Sequence, residues 1–105
     1  MNLLFMCTAA MQRSPTGAAL FRDMGYSTDY VGMIATGQDA VTPEKLRWAD
    51  QVFVMEERHR QFLKQQFPDI YPDLKVHMLG IPDIYLRDDP ELKSLLKEKV
   101  EPYLD

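Results

Sequence analysis

Four short apolar runs recur along the chain, and stretches with helical spacing fill the gaps between them. The first run, Asn2 to Met6 (NLLFM), carries no polar residue after its asparagine. Such a run, short and without alternation, suits a strand buried on both faces. Asp29 to Thr36 (DYVGMIAT) is the second run, weakened by Gly32. Gln51 to Met55 (QVFVM) is the clearest, because β-branched and aromatic residues follow one another there. Lys75 to Leu79 (KVHML) is the fourth.

The intervening segments predict helices. Ser14-Pro15 reads as a start, with serine as cap and proline at the first helical position. In PTGAALFRDMG, Ala18 and Phe21 lie three apart and Leu20 and Met24 four apart, so they share a side, and Gly25 is the stop. Thr42 caps a short second helix with Pro43 at its first position. EERHRQFLKQQF forms a third, with Glu56 and Glu57 at its positive end and Pro68 as terminator. The turn-rich loop GIPDIYLRDD leads to a last helix, PELKSLLKEKVEPYL, with Leu92, Leu95, Leu96 and Val100 at helical spacing.

Strand and helix therefore alternate from end to end. This order predicts an α/β fold, an open parallel sheet covered by helices on both sides, with right-handed crossovers. Ligands in such sheets bind at the carboxyl ends of the strands. With 105 residues, the chain suits one domain, spanning 1–105. Trp48 and the methionines read as core, His59 as a solvated helix residue and His77 as a packed strand residue. Lys93, Lys97 and Lys99 form a solvated face.

Composition narrows the function. A net charge of −4 disfavours a nucleic-acid partner, which calls for a concentrated basic face. One cysteine forms no internal disulfide, no stretch is long enough for a membrane span, and no secretory signal is visible, so the cytoplasm is the expected compartment. Neither histidine has ligand partners at metal spacing, so no metal and no cofactor are expected.

The sole cysteine is the informative one. Cys7 immediately follows the first strand, and Arg13 stands at the start of the first helix. The loop between them lies at the carboxyl edge of the sheet and at a helix N-terminus, where backbone N–H groups and the helix dipole favour an anion. An arginine adds a planar fork that matches phosphate oxygens bidentately. A lone cysteine after a strand is often a small core residue. Here the five intervening residues let the loop wrap a tetrahedral dianion in front of the thiolate. That is the layout for attack on phosphorus through a phosphocysteine.

In the pieces LLFMC, RSP, ALFRD, ADQVFVMEERHR and IPDIY, the chain resembles the low-molecular-weight protein tyrosine phosphatase family. More closely, it resembles that family's shortened bacterial members. The likeness covers most of the chain and is weak between Gly25 and Ala49. It implies a three-layer αβα sandwich on a four-stranded parallel sheet in the order 2-1-3-4, with the phosphatase loop between strand one and helix one. It implies that Cys7 is the nucleophile, that Arg13 holds the phosphoryl oxygens and that Ser14 donates to the sulfur. Thr8, Ala9, Ala10, Met11 and Gln12 complete the phosphate loop. The general acid is implied at Asp83, with Asp89 the alternative because Asp89-Pro90 echoes the family dipeptide. Tyr85 is implied to line the pocket wall. The substrate is then a phosphorylated protein or a small aryl phosphate.

The loop departs from the family pattern of cysteine, any residue, Gly-Asn, any residue, Cys-Arg-Ser. CTAAMQRS has Ala9 for the glycine, Ala10 for the asparagine and Gln12 for the second cysteine. Alanine disfavours positive φ, so the loop is expected to be less preorganised. A catalytically weak phosphate-binding module is the alternative reading. Arsenate reduction would need an external thiol, and a sugar-transport phosphocarrier would not need Arg13.

Overall fold

The structure is a computed structural model, and it describes residues 1–104. Its strands are β1 (Asn2–Cys7), β2 (Ser27–Gly32), β3 (Gln51–Val54) and β4 (Val76–Met78). Its helices are α1 (Arg13–Asp23), α2 (Pro43–Trp48), α3 (Glu57–Gln66) and α4 (Pro90–Val100). The four strands pair in parallel in the order β2-β1-β3-β4, as expected. Among the described residues, no helix is long and apolar enough to cross a membrane.

The apolar run of β1 is explained by the two cores. Leu3, Phe5 and Cys7 point to one face, where Phe21 of α1 and Leu92, Leu96 and Val100 of α4 cover them. Leu4 and Met6 point to the other, with Leu46 of α2 and Leu63 of α3. The period of two along a strand thus serves both layers, and no position remains for a polar residue. Phe5 stacks between Phe21 and Phe53, at centroid distances of 5.7 and 5.3 Å. α1 lies close on this ring: a Cβ at Gly17 would stand 2.7 Å from Phe5.

Four expectations need correction. β2 stops at Gly32 instead of running to Thr36. There the loop after β1 crosses it, and a Cβ at Gly32 would meet the Ala10 nitrogen at 2.7 Å. Ser14 does not cap α1. The helix begins at Arg13, Gln12 occupies the cap position, and Ser14 is buried within the first turn. His59 is fully buried, because its ring folds back on the start of α3. Trp48 and Met1, Met11, Met24 and Met78 are exposed. The six-residue α2 buries one side chain, Leu46, and leaves Trp48 at its open end.

The remaining caps follow the sequence. The Thr42 hydroxyl accepts the Lys45 N–H at 3.2 Å, and the Asp89 carboxylate accepts the Glu91 N–H at 2.8 Å. Beyond the last residues of β4, Leu79 and Ile81 continue to donate to Val54 and Met55, both at 2.9 Å. That extension delivers the Ile81 carbonyl to the end of the sheet where Cys7 lies.

Candidate active site

The carboxyl edge of β1 opens into a cavity of about 230 Å³ lined by Cys7, Thr8, Ala9, Met11, Gln12, Arg13 and Asp83. Two larger hollows, about 300 Å³ beside α2 and about 380 Å³ beside Asp29, are lined without a cysteine. Cys7 is buried, with its Sγ 3.0 Å from Ser14 Oγ. Ser14 Oγ also lies 3.3 Å from the Val31 carbonyl. Its single proton therefore has two acceptors. A thiol at Cys7 leaves the proton to Val31, whereas a thiolate draws it to sulfur.

Arg13 is 1% exposed, which is rare for an arginine without a specific role. Its Nη1 donates to Glu56 Oε2 at 2.6 Å and to the Ile81 carbonyl at 2.8 Å. Its Nη2 donates to Thr8 Oγ1 at 3.3 Å. Its buried Nε has no hydrogen-bond partner, and the nearest carboxylate oxygen, on Asp83, is 3.8 Å away. One corner of the guanidinium is thus fixed by the protein, while the Nε–Nη2 edge remains as a fork at the cavity.

The loop itself turns through Ala10, whose φ is +58°. This is the left-handed region that alanine tolerates at a cost of about 1–2 kcal/mol. The sequence flagged Ala10 for this reason. Gln12 acquires a task its position did not reveal: its Oε1 accepts the Arg87 N–H at 2.6 Å. Thr16 Oγ1 accepts the Asp88 N–H at 2.9 Å. Together these bonds anchor the segment that carries Asp83 to the start of α1.

The expected residues separate into groups. Cys7, Thr8, Ala9, Met11, Gln12, Arg13 and Asp83 share the cavity. Ala10 and Ser14 are buried around it and do not line it. Tyr85 is absent from the cavity lining and is half-buried against the core cluster that also holds Leu3, Phe5 and Cys7. Asp89 is occupied as the cap of α4 and is absent from the cavity lining.

Glu56, Arg58 and His59 complete the site and were not expected there. Burial pushes the Glu56 carboxyl up, but the hydrogen bonds and charges of Arg13 and Arg58 outweigh it and hold the group below its ordinary value. Arg58 Nη2 reaches both Thr8 Oγ1 at 2.7 Å and Glu56 Oε2 at 3.2 Å. His59 Nε2 lies 3.0 Å from Thr8 Oγ1. Its pKa is pushed down to about 4, first by burial and then by the Arg13 charge. The available signal was positional: MEERHR follows β3 as CTAAMQR follows β1, so both segments reach the same sheet edge.

A cysteine at the end of the first strand, an arginine fork and an aspartate on the last connection, on a 2-1-3-4 parallel sheet, define the low-molecular-weight phosphatase fold. Neither a protein-family model nor a curated protein matches the chain. Solved structures do. A low-molecular-weight phosphotyrosine phosphatase from Vibrio cholerae O395 superposes with a TM-score of 0.81 at 16% identity, covering 100% of this chain and 95% of that one. The tyrosine phosphatase Wzb from Escherichia coli K30, in complex with phosphate, gives 0.76 at 22% identity over 97% and 94%. The YwlE arginine phosphatase from Geobacillus stearothermophilus gives 0.72 at 21% identity over 97% and 92%.

Proposed function

We propose that this chain is a cysteine-dependent phosphomonoester hydrolase acting on phosphotyrosine or a similar aryl phosphate. The observation that carries the reading is Arg13: a buried guanidinium whose Nε is unpartnered beside the Cys7 cavity. A buried donor left unpaired costs about 1–3 kcal/mol, and more when it is charged. Two phosphoryl oxygens satisfy the Nε–Nη2 edge in the bidentate geometry that guanidinium favours. Structural neighbours named as tyrosine phosphatases, one of them in complex with phosphate, support the same class.

In this mechanism the Cys7 thiolate attacks phosphorus, and the bond from phosphorus to the phenolic oxygen breaks. Asp83, 56% exposed at the cavity, gives its proton to the departing oxygen. Arg13 takes up the charge that develops on the equatorial oxygens. Water then attacks the phosphocysteine, Asp83 removes its proton, and the phosphorus–sulfur bond breaks. Ser14, 3.0 Å from the sulfur, donates to the departing thiolate.

The test is hydrolysis of para-nitrophenyl phosphate by wild type beside Cys7→Ser, both reduced and folded. Turnover that disappears with Cys7, and a phosphocysteine signal by phosphorus NMR after acid quench, are the expected results. An equal rate in the two proteins would sink the reading.

A further inference from the structure

The hydrogen bonds around Thr8 leave its hydroxyl proton only one direction. The Glu56 backbone N–H donates to His59 Nδ1 at 3.1 Å, so that nitrogen is an acceptor and carries no proton. A histidine with a bare Nδ1 holds its proton on Nε2. Nε2 therefore donates to Thr8 Oγ1 across 3.0 Å. Arg58 Nη2, at 2.7 Å, and Arg13 Nη2, at 3.3 Å, have no acceptor atom and also donate to Thr8 Oγ1. The Arg58 and His59 N–H groups fill the two lone pairs of this oxygen, and the more distant Arg13 Nη2 shares one of them. Thr8 lines the cavity with Cys7 and Arg13.

We propose that Thr8 donates its hydroxyl hydrogen to an oxygen of the bound phosphoryl group, and that His59 is the positioning residue that fixes this polarity. The inference rests on the phosphate-binding reading of the pocket above. It adds a side-chain donor from the loop after β1, beside the Arg13 fork, whose polarity is set by His59 and Arg58 of α3. It also gives buried His59 a reason to stay neutral: a proton on Nδ1 would face the Glu56 N–H. The substrate class selected is a phosphoryl group with a free acceptor oxygen directed at Thr8, and not a neutral leaving-group feature.

Two measurements decide it. Long-range proton–nitrogen NMR of the intact protein reads the His59 ring, with His77→Gln to assign the signals. The expected result is a neutral ring with its proton on Nε2; a proton on Nδ1 overturns the proposal. Binding of inorganic phosphate is then measured by calorimetry in Thr8→Val, Thr8→Ser and His59→Asn. Asparagine keeps an acceptor for the Glu56 N–H but lacks the reach of Nε2, so a purely structural His59 would leave phosphate affinity unmoved. Thr8→Val and His59→Asn are expected to weaken phosphate roughly 10- to 100-fold, the value of one hydrogen bond to a charged group. Thr8→Ser restores binding, and the double variant loses no more than Thr8→Val alone. Wild-type affinity in Thr8→Val overturns the proposal even if His59→Asn fails to fold. Phosphate binding that depends on Thr8 without Cys7-dependent turnover would sink the hydrolase and leave this inference standing. Turnover with Thr8-independent binding would do the reverse.

Discussion

Replacing Glu56 by glutamine isolates the charge that holds Arg13 in place. The side chains are nearly the same size, and an amide oxygen can still accept from Arg13, so shape and one hydrogen bond survive. What is lost is a carboxylate 2.6 Å from a guanidinium that is 1% exposed. Breaking a fully buried pair costs about 3–5 kcal/mol. Glu56 is 30% exposed, so water screens it, and the Ile81 carbonyl still holds the same guanidinium nitrogen. The expected cost is therefore about 1–3 kcal/mol at pH 7, between the buried and surface limits. The pH dependence is signed. Arg13 and Arg58 hold the Glu56 carboxyl below its ordinary value of 4.5 in the folded state. Its contribution is thus fully present above that value and fades as pH falls through the lower, folded one. His59 loses stability over a neighbouring range, because the unfolded chain takes up a proton near pH 6.5 that the folded ring refuses until about 4. That loss is largely common to both proteins, so it mostly cancels in the difference. Urea unfolding followed by tryptophan fluorescence at pH 7, 5 and 3.5 measures that difference directly. It should be largest at pH 7, nearly as large at pH 5, and shrink at pH 3.5. A difference that is constant across this range, or absent at pH 7, would refute the role given to the Glu56 charge.

Three further outcomes are expected. Asp83→Asn should lower para-nitrophenyl phosphate turnover by roughly 10²–10⁴, with little change in phosphate affinity; full turnover would remove Asp83 as the proton donor. Ala10→Gly should relieve the positive φ of +58° and stabilise the protein by about 0.5–1 kcal/mol, net of glycine's extra chain entropy, as read from the urea midpoint. A loss of stability would mean that Ala10 is not strained. Gly32→Ala should cost stability and turnover together, because the added Cβ meets the Ala10 nitrogen at 2.7 Å; near-neutral behaviour in both assays would show that the loop yields freely.

The fold was legible because its strands are buried on both faces. Runs such as NLLFM and QVFVM have no alternative use in a chain that alternates them with helical spacing, and both cores draw on them. The misreadings arose where a tertiary contact overrode a local pattern. Ser-Pro reads as a cap only if the helix starts at the proline; here Ser14 is drawn into the first turn beside the Cys7 sulfur. His59 reads as solvent-facing in EERHRQ because its neighbours are charged, but its ring turns back to accept the Glu56 N–H and is covered. Tyr85 follows Asp83 by two residues but is half-buried against the core cluster and does not line the cavity.

The half of the site on α3 was missed for a different reason. The segment after β3 carries no thiol and is not contiguous with the Cys7 loop, so nothing in its local sequence marks it. Yet in a parallel sheet every strand end delivers its following residues to the same edge. Since β3 pairs directly with β1, Glu56 is bound to arrive beside the Cys7 loop as surely as Arg13 does. A buried arginine also needs a countercharge, and the acid that follows the neighbouring strand is the one topology supplies. The pairing of Arg13 with Glu56 was therefore implicit in the strand order, although neither residue's local sequence announces it.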